Sequence, residues 1–288
     1  MNYRIVHTSD IHVWDFPVNP VLWVGKRTLG LGNLILRRAR KFRKEQLLNL
    51  AATIEEDQPD HLVLSGDVST TSLSSEFEKI HLAFQEWLGD PRSATVVPGN
   101  HDRYTQWAQR RRLFDRYFGN TTHNEPYPMI KNLTRGLDLI GFDPCRPQPI
   151  SARGLAKLSH IKSLRRIVSQ IHPDETKCVI FACHYPGEVP REFLRFEKGH
   201  EMVNARLVVK SLAALHCPVY WLHGHIHYPW RYPSPTASNV VYLNPGAPLL
   251  KRKTGISFGR WILDWDGVDV TAEWKSAPNS ARELVDFA

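Results

Sequence analysis

At 288 residues, with 42% hydrophobic and 23% charged positions and no low-complexity tract or internal repeat, the chain has the composition of a globular enzyme and not of a disordered or fibrous protein. A net charge of +8 points to acidic partners, namely phosphate-bearing substrates, nucleic acid or anionic lipid, without choosing among them. No apolar run approaches the roughly 20 residues that span a bilayer, and Met1-Asn2-Tyr3-Arg4 runs into a strand pattern without an apolar leader, so a cytoplasmic protein is expected.

The four cysteines, Cys145, Cys178, Cys183 and Cys217, form no CxxC pair and lie mostly in apolar runs, where free thiols behave as small hydrophobes. In chain order, residues 3–8 read as a first strand, with Asp10 and His12 in the turn behind it. A basic insertion follows over about 16–44. At about 100° per residue, its Leu31, Leu34, Ile35, Ala39 and Phe42 share one arc while Arg37, Arg40, Lys41, Arg43 and Lys44 take the other. Arg38 and Leu36 break this amphipathic pattern. Residues 45–58 read as a helix ended by Pro59, and 61–65 as a second strand, with Asp67 just after it.

Ser74 is placed to cap a helix over about 75–88, in which Phe77, Ile80, Phe84 and Leu88 recur at helical spacing. A strand over 94–97 then ends in Pro98-Gly99 and the polar cluster Asn100, His101, Asp102, Arg103. A helix rich in Arg and aromatics is predicted over roughly 104–118, a strand over 137–142, and a basic helix over 154–171. The buried strand 177–182 runs into His184 and a loop over 185–199. A helix over 205–215 returns to the strand 219–222, followed by His223, His225 and His227. The end turns to β character over 240–243, 259–264 and 268–274, with Asp266-Gly267 as a hairpin turn. Alternating strands and helices before a β-rich end predict an α/β fold, a four-layer α/β/β/α sandwich with mixed sheets. One domain over 1–288, carrying the insertion at about 16–44, is the expected organisation.

Five apolar runs stop at potential metal ligands: RIVHTSDIH, HLVLSGD, VVPGNHD, CVIFACH and VYWLHGHIH. Each alone is an ordinary polar turn, and short motifs carry a high false-positive risk. Five in one chain point to a shared site at the carboxyl ends of strands. Carboxylate and amide oxygens mixed with imidazoles suit Mn²⁺, Fe or Zn²⁺, and two such ions need a bridging carboxylate, for which Asp67 is the natural candidate.

In the order DxH, GD, GNHD, H, GHxH, the chain resembles the calcineurin-like metallophosphoesterases, and Asn244-Pro245-Gly246 resembles the NPG turn that often follows GHxH in them. The resemblance implies one metal held by Asp10, His12, Asp67 and His227 and another by Asp67, Asn100, His184 and His225, with Mn²⁺ the first choice and Fe or Zn²⁺ the alternatives. Two cations so placed make a water nucleophilic at neutral pH and neutralise phosphoryl oxygens. His101 falls outside both shells and is expected to support the leaving oxygen. Many relatives carry a carboxylate three residues after the bridging one to orient this histidine. Thr70 stands there in this chain, so His101 is expected to be less basic, or to be held by Asp102 or another group, and Asp102 is grouped with His101 as catalytic. His223 is expected in the core or behind the metal ligands and not among them, while Arg103, His7, His200 and Asn244 are candidate substrate contacts.

The insertion and the GDVSTTSLSSEFEK stretch look like the calcineurin-like UDP-2,3-diacylglucosamine pyrophosphatases of lipid A synthesis. That resemblance implies hydrolysis to UMP and 2,3-diacylglucosamine 1-phosphate, and the basic, amphipathic insertion has the composition of a helix that docks reversibly on the inner face of an anionic membrane. A cyclic nucleotide phosphodiesterase is the alternative; nuclease, protein phosphatase and non-catalytic scaffold stand behind it. No protein partner is inferred.

Overall fold

Three parallel strands, Tyr3–Thr8 (β1), His61–Leu64 (β2) and Ala94–Val96 (β3), carry the first three ligand-bearing turns out at one edge of a sheet. The pairing of Ile5 with His61 and of Leu62 with Ala94 sets their register. Two antiparallel strands, Gly259–Trp265 (β12) and Val270–Ser276 (β13), complete this sheet in the order β13-β12-β1-β2-β3. The computed structural model describes residues 2–16, 42–148, 151–197, 199–251, 259–276 and 285–286. The predicted helix face of Leu31, Leu34 and Ile35, with Arg37, Arg40 and Lys41, lies outside the described residues.

The second sheet holds Met129–Thr134 (β4), Leu137–Gly141 (β5), Cys178–Ala182 (β7), Val219–Leu222 (β9), Pro229–Pro233 (β10), Val240–Pro245 (β11) and Val285–Asp286 (β14), in the order β14-β10-β11-β9-β7-β5-β4. Its middle strands β5, β7, β9 and β11 are mutually parallel. Gly154–Leu155 (β6) and Met202–Val203 (β8) form a separate parallel pair.

Successive side chains on these strands enter different apolar layers, as the period-2 geometry of a strand requires. Ile5 and Val63 join Leu139, Ile180, Leu222 and Leu243 in a core between the two sheets. Their neighbours Val6, Leu62 and Leu64 pack outward, where the helices Leu47–Glu56, Ser74–Ala83 and Leu113–Phe118 bring Leu50, Ile54, Phe77, Ile80 and Phe118. Ile140, Val179, Phe181 and Trp221 face the opposite outer layer under Leu158–Gln170 and Ala205–Leu212, which supply Ile161, Leu164, Val208 and Leu212. The result is the expected four-layer α/β/β/α arrangement. Each fully buried Leu or Ile of the middle layer contributes roughly 1.5–3 kcal/mol.

Several boundaries differ from expectation. Ser74 does not cap its helix, because the N-cap position is Leu73. The Glu76 carboxylate accepts there instead, from the backbone N–H groups of Leu73 (3.0 Å) and Thr71 (2.9 Å). The predicted helix over 104–118 is two pieces, Gln106–Arg110 and Leu113–Phe118, separated by Arg112 in the left-handed region at φ 49°. Gly154 and Leu155, predicted helical, pair with Met202 and Val203, and the helix starts at Leu158. Strands β4 and β10 were not anticipated. Among the described residues all four cysteines are free thiols, three of them buried, and no helix is long and apolar enough to cross a membrane.

Candidate metal centre

Where β1, β2 and β9 end, the chain turns sharply, and it does so at ligand-type residues. Asp10 (φ 54°), His12 (50°), Asp67 (51°), His225 (72°) and His227 (56°) all lie in the left-handed region. That conformation costs an L-residue roughly 1–2 kcal/mol and persists where surrounding structure imposes it, often at functional sites. Two glycines permit the close approach: a Cβ on Gly99 would sit 2.1 Å from Asp67 Oδ1, and one on Gly224 would sit 2.1 Å from Asp10 Oδ2.

The side chains so aimed converge. Asp10, His12 and His227 offer ligand atoms within 4.8 Å of one another, as do Asp67, His184 and His225. His12 Nε2 and His227 Nε2 are 3.0 Å apart, and Asp10 Oδ1 lies 3.1 Å from His227 Nε2 and 3.7 Å from His12 Nε2. Asp67 Oδ2 stands between the two groups, 3.7 Å from His12 Nε2 and 3.3 Å from His184 Nε2. Ions that hold N and O donors at roughly 2.0–2.2 Å separate neighbouring donors by roughly 2.8–3.6 Å, so most of these spacings match a coordination shell. Asp10 Oδ1 and Asn100 Oδ1 are buried without a hydrogen-bond partner, as oxygens reserved for a cation would be.

The histidine tautomers give the sharpest test of fit. His184 Nδ1 is 2.9 Å from Ser65 O, and His225 Nε2 is 2.8 Å from His200 O. Carbonyl oxygens only accept, so those ring nitrogens carry the protons. The remaining nitrogens, His184 Nε2 and His225 Nδ1, then face each other at 3.2 Å as lone pairs when both rings are neutral. A proton or a metal ion between the two nitrogens makes that arrangement favourable. Burial works against protonating His184, yet the Asp67 carboxylate outweighs it and carries the pKa up to about 9. A proton and a metal therefore compete for one lone pair. Burial would likewise raise the Asp67 carboxyl, but His184, His101 and His12 around it hold it well below the usual carboxylate range.

His101 joins His12 and Asp67 within the same 4.8 Å limit. Its Nδ1 lies 2.7 Å from Thr70 O, its backbone N–H donates to Asp67 Oδ1 at 2.7 Å, and its ring stacks on Tyr104 at 5.3 Å. The position where a carboxylate was missed thus supplies its backbone carbonyl. Asp102 is not the group that holds the ring. Its Oδ1 accepts from Ser69 N and Ser69 Oγ, its Oδ2 from Gly99 N and Val68 N, so it clamps two loops together.

Three predicted substrate contacts are corrected by burial and bonding. Arg103 is 5% exposed and ion-paired with Asp115 (2.9 Å) and Asp143 (3.0 Å). Asn244 is fully buried, donating to Gly224 O and accepting from Gly246 N, which shapes the turn before His225. His7 is also fully buried, with Nε2 2.8 Å from Ser65 Oγ. His200 is exposed at the rim, its ring 5.7 Å from that of His225. His223 lies in the core as expected, with Nδ1 3.1 Å from Gly224 O. Residues the sequence reading passed over include Ser65 and Tyr185, whose ring packs 4.4 Å from that of His225. Phe42, at the end of the insertion, is buried 4.7 Å from the His12 ring and bridges to Leu250. Only its place on the predicted apolar arc hinted at this.

A family model described as calcineurin-like phosphoesterase matches residues 3–229. No curated protein matches the chain. Among solved structures, a dimetal phosphatase from Danio rerio is similar over 94% of this chain and 98% of its own, with a TM-score of 0.64 at 11% identity. A purple acid phosphatase from yellow lupin (Lupinus luteus) seeds is similar over 99% of this chain and 54% of its own, with a TM-score of 0.61 at 11% identity. The NAD nucleotidase of Haemophilus influenzae is similar over 98% of this chain and 50% of its own, with a TM-score of 0.51 at 10% identity. At such identities the likeness is one of fold.

Proposed function

Starting from a chain that belongs to the calcineurin-like phosphoesterase family and is a metal-dependent phosphoester hydrolase, we propose that its two ions are held by Asp10, His12, Asp67 and His227 and by Asp67, Asn100, His184 and His225, with Mn²⁺ the preferred metal. The facing lone pairs of His184 and His225 carry this reading, together with the carboxylate of Asp67 reaching both donor groups. Bound there, the metals supply a water that is nucleophilic at neutral pH and charge to offset phosphoryl oxygens.

The residues of the chain do the rest. Ser65 O and His200 O fix the tautomers of His184 and His225, so that the correct nitrogen of each faces inward. Thr70 O holds the His101 Nδ1 proton, and Nε2 is then the atom that hands a proton to the leaving oxygen or steadies its charge. Asp102 keeps the loops bearing Asp67 and His101 in register.

For the substrate, the reading is a phosphodiester or pyrophosphate, and in particular UDP-2,3-diacylglucosamine, cleaved to UMP and the diacylated sugar phosphate. Its support is the basic, partly apolar composition of the insertion, and the packing of Phe42, at the end of that stretch, against His12. Each cation near an anionic leaflet contributes roughly 1 kcal/mol, enough in sum for reversible docking. The purified protein would be offered UDP-2,3-diacylglucosamine and cyclic AMP, with and without anionic vesicles, alongside a variant with Arg37, Arg40, Lys41 and Lys44 changed to Gln. Faster turnover of the lipid on vesicles, weakened by the substitutions, is expected. Turnover of cyclic AMP alone, indifferent to both, would leave the cyclic nucleotide reading instead.

A further inference from the structure

A buried carboxylate stands one layer behind His101. Glu76 has no exposed surface, and its Oε2 accepts from the N–H groups of Thr71 (2.9 Å) and Leu73 (3.0 Å). Its Oε1 accepts from the Thr71 hydroxyl (3.1 Å) and from the N–H of Asp15 (3.3 Å). The bond to Leu73 N caps the helix, but the other three leave the helix for the turns behind β1 and β2, so capping does not account for the residue. Burial pushes its carboxyl up to about 7, while its partners among the described residues are all donors, which favour the anion.

Residues 70–73 alternate between two tasks. Thr70 and Ser72 face His101: Thr70 O accepts the Nδ1 proton at 2.7 Å, and Ser72 Oγ donates to His101 O at 2.7 Å. Ser72 Oγ also accepts from the N–H of Tyr104, whose ring stacks on His101. Thr71 and Leu73 face Glu76. Ser72, between them, is held in the left-handed region at φ 56°, a conformation that its flanking bonds impose.

One peptide group joins the two tasks. Thr70 O and Thr71 N–H are the two ends of a single planar, conjugated amide. Its oxygen takes the proton of His101 Nδ1, and its N–H goes to the Glu76 carboxylate. An anion at the N–H end drives electron density toward the oxygen and makes it a stronger acceptor, as hydrogen bonds in a chain polarise one another by about 10–30% per bond.

We propose that Glu76 positions and polarises His101 through the Thr70–Thr71 peptide group, supplying at one remove a negative charge that Thr70 itself lacks. The inference rests on the reading of His101 as the group that supports the leaving oxygen.

Glu76→Gln tests it, because the amide is nearly isosteric and its oxygen still accepts from Thr71 N and Leu73 N while the charge is gone. The Mn²⁺-loaded protein would be given the phenyl and the p-nitrophenyl esters of thymidine 5′-monophosphate at pH 8. For the phenyl ester, kcat should fall by about threefold to tenfold, the difference between a charge-assisted and a neutral hydrogen bond, with KM and metal content unchanged. For the p-nitrophenyl ester, whose leaving group needs no proton, the deficit should shrink to about twofold or less. Added to His101→Ala, the substitution should cost nothing further. A purely structural role would slow both esters alike, or multiply with His101→Ala, and either result would overturn the proposal. If His101→Ala leaves the phenyl ester untouched, or if neither ester is cleaved, the reading of His101 or of the activity fails by itself. Proton NMR of the Zn²⁺-loaded protein then decides Glu76, through the Nδ1–H resonance that is missing from His101→Ala. An upfield move of that resonance in Glu76→Gln upholds the polarised chain, and an unmoved resonance refutes it.

Discussion

Two groups of buried or half-buried histidines occupy neighbouring parts of this molecule and behave as opposites. His7, His61 and His223 sit within or directly after strands, bonded to hydroxyls and carbonyls, and burial drives their pKa down, to about 3 for His61 and His223 and well below the ordinary value for His7. His12, His184, His225 and His227 stand beside two buried carboxylates, three of them on left-handed backbone, with ring nitrogens facing one another. His12 and His184 are as buried as the core histidines while His227 is only partly so, and burial therefore does not mark a ligand. What separates them is what the ring nitrogens meet: hydroxyls and carbonyls in the first group, where His7 Nδ1 and His223 Nε2 meet no partner, and another ring nitrogen or a carboxylate in the second.

The largest effect expected from breaking this contrast is at the shared carboxylate. Asp67→Ala should abolish turnover and most metal content, measured by elemental analysis and phosphoester hydrolysis, since one side chain faces both donor groups. A variant retaining full metal and full activity would sink the site assignment. Next is His101→Ala, which should keep its metal and lose rate by about 10²-fold to 10⁴-fold, the usual range for a general acid. The deficit should shrink for substrates whose leaving groups need no proton, and loss of metal would instead make His101 a ligand.

The core histidines make a smaller prediction, with a definite sign. Their folded pKa lies below the unfolded value of about 6.5, so between these two values the unfolded chain binds more protons. Their stabilisation is complete above about pH 6.5 and falls as pH drops toward about 3, by up to about 1.4 kcal/mol per pH unit for each histidine. Denaturant unfolding across pH 4–7 should show this slope, and His61→Gln should flatten it; an unchanged slope would assign the acid sensitivity elsewhere. The smallest effect is on function: His223→Gln should lower stability by about 1–3 kcal/mol while metal stoichiometry stays at the wild-type value. Loss of an ion in that variant would erase the distinction between the two groups.

The sequence disclosed the ligands better than their surroundings. Val219–Leu222 emerged with its boundaries intact because an unbroken apolar run of four residues, set between Pro218 and the histidine turn, is too short for a helix. The five ligand turns were visible because each interrupts such a run with residues that a core does not tolerate. Strand β10 was not, since Pro229 and Pro233 at its two ends argue against a strand when its partner β11 is unknown. The break at Arg112 was invisible for a related reason: nothing in an Arg-rich helical pattern signals a left-handed residue. Arg103 and Asn244 were misjudged as substrate contacts because residue type says what a side chain can bond to but not whether Asp115 and Asp143, or Gly224 and Gly246, have already claimed it. The orientation of His101 could not have been read at all, because its partner is a backbone carbonyl, which every residue type has.

The left-handed backbone at Asp10, His12, Asp67, His225 and His227 sets selection for stability against selection for activity at the same codons. Glycine is the residue such a conformation prefers, so at these five positions the substitution that relaxes the chain is also the one that removes a donor atom. A library of this protein sorted only for heat resistance should therefore drift toward glycine at its donor turns, and the enzyme would lose its reactivity before it lost its fold.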